Sequence, residues 1–260
     1  HFSRCSNDIL DDLLIDERSN EVASEFIRNK IRAIVRDPET AELLCPKDYP
    51  LVGKRPPLGH LYYEAFNREN VSLVDISENE ITEITARGVR TTTDEYEADI
   101  IVFATGFDAV TGTLKSLDIR GRGGQQLRDK WNGGPRTHLG IAVDGFPNMF
   151  LICGPQTPFA NLPVVIDGIV DWIGEAIRHL DANGFTSMEA THEAVEAWAK
   201  HMDELVNATV LAKGKRSWFL GDNIPGKAHA VLFYFGGVGN YRLECQAATA
   251  KDYDGFELAK

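Results

Sequence analysis

The sequence lacks the short motifs that mark many nucleotide-binding, metal-binding and nucleophilic enzymes. It contains no GxGxxG turn for a dinucleotide pyrophosphate, no P-loop, no HExxH helix and no GxSxG elbow. Its seven histidines show no spacing typical of metal ligands, and its four cysteines form no CxxC pair. We therefore expect no metal site and no redox dithiol, and scattered reduced thiols of this kind are typical of a cytoplasmic protein.

Basic residues and long apolar runs are also scarce. The chain has 27 Lys and Arg against 39 Asp and Glu, a formal net charge of −12. This balance argues against a nucleic-acid partner, because binding a phosphate backbone requires clustered basic side chains. No apolar run approaches the roughly 20 residues of a membrane span, and the first residues lack the apolar core of a signal peptide. We expect a globular chain of one or two domains with no membrane segment.

Residues 99–108 are the most informative stretch of the chain. An apolar run from Ile100 to Ala104 ends in a turn that contains Gly106. Such a run predicts a buried central strand that meets a cofactor, since glycine has no Cβ and lets the backbone approach a ligand. A strand and turn with a purely structural role is the alternative interpretation.

Two further segments carry groups suited to an anionic ligand. Lys54 offers a point charge and Arg55 a planar fork of donors in a proline-rich loop, unless this loop is only a solvated basic turn. Asn161 and Leu162 precede Pro163, which starts a predicted helix. Free N–H groups at such a helix end can bind partial negative charge, although a tight connection with no ligand fits equally well.

Residues 217–227 form a fourth segment of interest, which we call the Trp218 loop. Trp218 either stacks on a ligand or packs inside the protein, and packing is the simpler interpretation for a lone tryptophan. The glycine-rich residues 121–124 predict a surface turn instead, because they lack a third glycine and follow no strand.

Apolar periodicity predicts the secondary structure. Helices are predicted from Ser19, from Pro38 with Asp37 as N-cap, from Pro163 to a cap at Gly184, and from about Thr191. The Pro163 helix carries an apolar stripe of Ile166, Ile169, Val170, Ile173, Ile177 and Leu180. Strands are predicted at residues 71–76, 81–84, 89–93, 100–104, 145–154 and 231–235.

In this order and spacing, the segments resemble the Baeyer–Villiger monooxygenases, a family of flavoproteins. The similarity runs from about residue 19 onward and rests on uncommon words: KR at 54–55, YYEAFNRENV at 62–71, ATGFD at 104–108, WNGGPR at 131–136, FPNMF at 146–150, NIPGK at 223–227, YFGG at 234–237 and YDGF at 253–256. The resemblance implies an α/β chain that is part of a two-dinucleotide-binding-domain flavoprotein fold, with FAD and NADP domains and a helical insertion, whose N-terminal half is absent. By the same resemblance, residues 1–51 end the helical insertion, residues 52–97 close the NADP domain and residues 98–260 complete the FAD domain.

The resemblance also implies the chemistry. NADPH reduces FAD, O2 adds to give a flavin peroxide, and attack of the peroxide on a small ketone inserts one oxygen atom to yield an ester or lactone. Arg55 matches the arginine that stabilises the peroxide and the developing oxyanion. The implied cofactor-binding residues are Lys54 at the 2′-phosphate of NADPH, Thr105 and Gly106 in the cleft between the nucleotides, Asn161 and Leu162 at the flavin edge, and Trp218 at the nicotinamide nucleotide.

Two alternatives stay open at this point. The same flavin machinery serves N- or S-oxygenation in related enzymes, and a truncated, non-catalytic remnant would act as a binding or scaffold subunit. As an enzyme, the chain would need an N-terminal half as its partner, either a separate polypeptide or a segment absent from this sequence.

Overall fold

The computed structural model describes residues 12–57 and 59–260. Predictions that fall on residues 1–11, including the thiol of Cys5, lie outside the described residues. The chain divides into two compact units. The small unit comprises residues 21–48 and 55–107, and the large unit comprises the described residues up to 20 together with 49–54 and 108–260. The two boundaries between the three predicted domain segments stay predictions.

Two of the three helices that lie wholly or mostly in the small unit follow their sequence signals. Helix α1 spans Glu17–Ile34 and α2 spans Pro38–Leu44, as predicted, whereas the short helix α3, Tyr62–Ala65, was not predicted. The Asp37 carboxylate accepts a hydrogen bond from the Thr40 amide at 2.8 Å, which confirms the predicted N-cap. The core of this unit packs α1 on α2 through Ile31, Val35, Ala41 and Cys45.

A three-stranded antiparallel sheet completes the regular structure of the small unit. Strand β1 spans Ile81–Ile84, β2 spans Gly88–Thr91 and β3 spans Glu95–Glu97, in the order β1-β2-β3. The first two confirm predicted strands, and β2 pairs with both neighbours. The strand predicted at residues 71–76 is wrong, because this segment has no regular secondary structure and makes no ladder with a described strand.

The strand predicted at residues 100–104 is also wrong. The segment has no assigned secondary structure, and its apolar side chains lie in solvent. Ile100 is 82% exposed, Val102 80% and Phe107 92%. An apolar run becomes a buried strand only when neighbouring backbone and side chains cover it, and the described residues supply no such cover.

In the described part of the large unit, three long helices, two short helices and one pair of strands surround a main core. The short helices are α4, Gly112–Ser116, and α5, Leu127–Lys130, and the long ones are α6, Leu162–Asn183, α7, His192–Asn207, and α8, Gly237–Ala250. Strands β4, Ser187–Ala190, and β5, Phe256–Ala259, pair antiparallel. The cap at Gly184 adopts the predicted left-handed conformation, with φ of 66°. The Thr191 hydroxyl caps α7 by accepting from the Ala194 amide at 3.1 Å.

The apolar stripe of α6 differs in part from its prediction. Ile169 and Leu180 are buried as expected, but Ile166, Val170 and Ile177 are exposed. The buried face instead includes Val165, Trp172 and Ala176. The Trp172 indole N–H donates to the Cys245 carbonyl of α8 at 3.2 Å, which adds a polar contact to the packing of this buried face. A second apolar face of α6 is left uncovered.

Two predicted strands of the large unit form irregular structure instead. Residues 145–154 are turns and bends, although the Leu151 amide donates to the Ile141 carbonyl at 2.7 Å. Residues 231–235 form backbone hydrogen bonds with residues 156–159 and 219 but are assigned only an isolated parallel bridge, between Pro158 and Tyr234, and no strand. Among the described residues, no helix is long and apolar enough to cross a membrane.

Candidate functional site

The Trp218 loop is tied at its start to the loop that carries Lys54. The Ser217 hydroxyl donates to the Gly53 carbonyl at 2.7 Å, and both residues are buried. The Gly53 amide closes a turn on the Pro50 carbonyl at 2.8 Å, where an added Cβ would lie only 2.9 Å from that oxygen. Two segments separated by 164 positions in the sequence therefore lie side by side.

Lys54 lies against an aromatic ring. Its Nζ atom is 4.3 Å from the centroid of the Tyr49 ring, within the range of a cation–π interaction. No described carboxylate lies within ion-pair distance of this ammonium. Its positive charge is thus held by a neutral partner, which leaves it available for an anion.

Trp218 belongs to a cluster of five aromatic rings. Its ring centroid lies 4.7 Å from that of Phe219, 5.1 Å from that of Phe233 and 6.0 Å from that of Phe159. Phe159 lies 4.7 Å from Phe219, and Phe235 completes the cluster. The edge-to-face contacts fix the indole by packing, as expected for a core tryptophan, yet both Trp218 and Phe159 keep part of their surface in solvent.

The same cluster leads directly to the start of α6. Asn161, two residues after Phe159, is the N-cap residue with extended backbone (φ −66°, ψ 108°), and its side chain makes no capping hydrogen bond. Pro163 lies in the first turn, as predicted, and Leu162 is 55% exposed. The first amides of a 22-residue helix are therefore open to solvent beside an aromatic surface.

The other predicted site residues belong to the small unit. Arg55 is exposed and makes no hydrogen bond or ion pair with any described residue. Thr105 and Gly106 are exposed as well. Gly106 has φ of +87°, and an added Cβ there would meet nothing within 4 Å, so this backbone is open to a ligand.

The large unit thus joins Lys54, Trp218 and the Asn161–Leu162 helix start, three of the segments singled out in the sequence. Sequence reasoning missed the groups that join them: the Ser217 hydroxyl, the phenylalanines of the cluster, and an ion pair between Asp108 and Lys227. The sequence offered one hint of this ion pair. The two glycine-containing motifs ATGFD and NIPGK each end in a single charged residue, Asp108 and Lys227, of opposite sign.

The large unit contains further polar groups away from the predicted site residues. A cavity of about 850 Å³ lies next to His138 and Trp198 and contains none of the predicted site residues. Burial lowers the pKa of His138 to about 4, so its ring is neutral at pH 7. Burial raises the pKa of the Cys153 thiol, which keeps it protonated. Within the described ranges, no group of His, Cys, Asp or Glu is arranged to hold a metal ion.

Replacing Ser217 by Ala is expected to lower the free energy of unfolding by about 1–2 kcal/mol, because the buried Gly53 carbonyl loses its donor. Denaturant titration of the variant and the wild type measures this difference. Ser116→Ala is the matched control, since Ser116 makes a similar 2.7 Å bond to the Thr113 carbonyl in an exposed position. An equal loss of stability in both variants would contradict the proposed tie between the two loops.

Comparison with known proteins adds three relatives. No family model matches the chain. It is 47% identical to phenazine N-monooxygenase PhzNO1 of Lysobacter antibioticus over 95% of this chain and 45% of the relative. It is 45% identical to a Baeyer–Villiger monooxygenase of Pseudooceanicola batsensis over 93% of this chain and 44% of the relative. The crystal structure of OTEMO in complex with FAD and NADP superposes with a TM-score of 0.90 at 40% identity, over 95% of this chain and 46% of that one. The chain spans about half the length of the proteins that it matches.

Proposed function

This chain corresponds to the C-terminal half of a Baeyer–Villiger-type flavoprotein monooxygenase, and on that premise we propose that it works with an N-terminal half as an FAD- and NADPH-dependent oxygenase. The enzyme would insert one oxygen atom of O2 next to the carbonyl of a small ketone, giving an ester or lactone. Its fold is the matching α/β portion of a two-dinucleotide-binding flavoprotein. We propose that residues 1–51 belong to the helical insertion, 52–97 to the NADP domain and 98–260 to the FAD domain.

The residues of the large unit fit two large, flat, anionic cofactors. Lys54 offers a positive charge with no carboxylate partner among the described residues, which suits the 2′-phosphate of NADPH. The open amides after Asn161 suit a carbonyl oxygen of the flavin ring. Trp218 offers part of an indole face, held by its aromatic neighbours, to the nicotinamide nucleotide.

The residues of the small unit fit the same cofactors. Gly106 and Thr105 present exposed backbone without steric hindrance, which suits close approach of a nucleotide. Arg55 keeps its guanidinium free for a negative charge that develops on the reacting oxygen. FAD, once reduced by NADPH, would supply the oxygenating chemistry, while these side chains bind and orient it.

One observation carries the proposal: the large unit brings the Lys54 loop, the Trp218 loop and the start of α6 together through a buried hydrogen bond and a shared aromatic cluster. A non-catalytic remnant would have no need for an ammonium group without a carboxylate partner in a loop that is hydrogen-bonded to the Trp218 loop. The expectation of a cytoplasmic location rests on cysteine spacing alone and stays a prediction.

Complementation tests the proposal. The chain purified alone is expected to show no flavin absorbance, because it lacks a GxGxxG turn. Joined to or co-expressed with an N-terminal half that carries this turn, it should retain FAD, oxidise NADPH and form ester from ketone. If complemented protein retains FAD but neither oxidises NADPH nor oxygenates a substrate, the scaffold interpretation replaces the enzyme.

N-oxygenation is the second candidate activity, favoured by the 47% identity to a phenazine N-monooxygenase. The two activities demand different substrates, a ketone or an aromatic nitrogen heterocycle. The complemented protein should therefore be assayed with both classes under the same conditions, and the class with the higher kcat/KM decides between them. A preference for phenazine-type substrates would overturn the ketone assignment but leave the cofactor assignment intact.

A further inference from the structure

An ion pair anchors the far end of the Trp218 loop. The Lys227 Nζ atom lies 2.5 Å from Asp108 Oδ1 and also donates to the Ala109 carbonyl at 3.1 Å. The Lys227 side chain is only 11% exposed, whereas Asp108 is 43% exposed. In such a position a lysine side chain loses much of its conformational entropy, and its ammonium group loses much of its hydration. The contact is therefore specific rather than one of the many loose pairs on a protein surface.

Both partners are themselves held in place. The Asp108 carbonyl accepts from the Gly112 amide at 3.1 Å at the start of α4, and a Cβ on residue 112 would lie 2.6 Å from the Asp108 Cβ. Lys227 follows Gly226, whose φ is +79°, and its amide donates to the Ile224 carbonyl at 3.1 Å. The pair thus connects two defined turns, 119 positions apart in the sequence.

The Trp218 loop is consequently held at both ends, by Ser217 at its start and by Lys227 at its end. Residues between the two anchors include Asn223, Pro225 and Gly226, which are exposed. Partly buried ion pairs add little net stability, because desolvation offsets much of the Coulombic attraction. A contribution to folding stability therefore does not explain the Asp108–Lys227 pair well. Holding a loop in one conformation is the effect that the geometry favours.

We infer that the Asp108–Lys227 pair is a positioning device that fixes the Trp218 loop in the conformation that binds the nicotinamide nucleotide. The inference rests on the proposed function and adds two positioning residues to it. Neither side chain is required to touch the nucleotide. Without the pair, the exposed part of the loop around Asn223, Pro225 and Gly226 samples further conformations while the packed Trp218 ring stays in place. NADPH binding must then restore the ordered loop.

The test uses the complemented, flavin-loaded protein with the variants Asp108→Asn and Lys227→Met. Each should raise the KM for NADPH about tenfold while kcat changes less than about twofold, because the pair affects the population of the binding-competent loop and not the reacting groups. Lys227→Arg, which keeps a charged donor, should stay within about threefold of the wild-type KM. Lys200→Met is the matched control, since Lys200 forms an exposed pair with Glu204 at 3.7 Å.

A second readout is independent of turnover. Trypsin cleaves after lysine, and the wild-type Lys227 should resist cleavage because its side chain is only 11% exposed and paired with Asp108. Asp108→Asn should speed cleavage after Lys227 about tenfold, as local opening of the loop becomes easier, without changing cleavage at Lys200. Mass spectrometry of the fragments identifies the site.

The possible results distinguish a failure of the Asp108–Lys227 inference from a failure of the proposed function. A wild-type complex without NADPH oxidation would overturn the proposed function, and the role of the anchor with it. An active wild type whose Asp108→Asn and Lys227→Met variants match Lys200→Met in KM would overturn the anchor alone. So would equal loss of kcat and bound flavin, because that pattern indicates general destabilisation.

Discussion

Arg55→Ala in the complemented protein is expected to lower kcat for ketone oxygenation by about 10²–10³-fold while NADPH still reduces the flavin. The guanidinium is exposed and makes no hydrogen bond or ion pair with any described residue. Its five donors are thus free for a negative charge that develops on the substrate oxygen. A loss of this size corresponds to roughly 3–4 kcal/mol of transition-state stabilisation.

Two variants sharpen this experiment. Arg55→Lys keeps the charge but loses the planar fork, so it should recover only part of the activity. Arg68→Ala removes an exposed arginine of the same unit, for which the described residues provide no ion pair, and should leave ester formation unchanged. Flavin reduction is followed by absorbance under anaerobic conditions and ester formation by chromatography. Normal ester formation in Arg55→Ala, or an equal loss of flavin reduction, would contradict the role assigned to Arg55.

Local sequence signals predicted the elements that depend on neighbouring residues. The Asp37-Pro38 start of α2, the Thr191 cap of α7 and the Gly184 end of α6 each satisfy backbone groups within a few residues. Strands β1 and β2 are joined by a short turn and were predicted for the same reason. Such contacts need no information from the rest of the chain.

Predictions that depended on distant partners failed in part. Residues 100–104 have the composition of a central strand, yet the described residues provide no neighbour for them. The apolar composition indicates that the segment must be covered by neighbouring strands and helices to form a buried strand. Those neighbours come from other parts of the fold, which the local sequence does not reveal. The same limit applies to the site: the Ser217–Gly53 and Asp108–Lys227 contacts join residues 164 and 119 positions apart, which no local pattern reveals.

The uncovered segment gives the second large prediction, which concerns assembly with the N-terminal half. Val102 and Phe103 are 80% and 71% exposed. If this segment became a strand, these two adjacent side chains would point to opposite faces of the sheet. A segment that is apolar on both faces is suited to the centre of a sheet covered on both sides. We therefore expect the N-terminal half to bury it, gaining about 1.5–3 kcal/mol for each large side chain.

Val102→Asp and Phe103→Asp should each abolish FAD retention by the complemented protein, because burying an unpaired carboxylate costs several kcal/mol beyond the lost apolar contact. In the isolated chain the same variants should change the free energy of unfolding by less than about 0.5 kcal/mol and reduce self-association, since both side chains are already in solvent. Phe26→Asp, at a position 60% exposed on α1, is the control for an exposed apolar residue outside this segment. Flavin absorbance per chain and size-exclusion chromatography measure the two effects. If both aspartate variants retain FAD as well as the Phe26→Asp protein does, the segment is not the surface through which the two halves assemble.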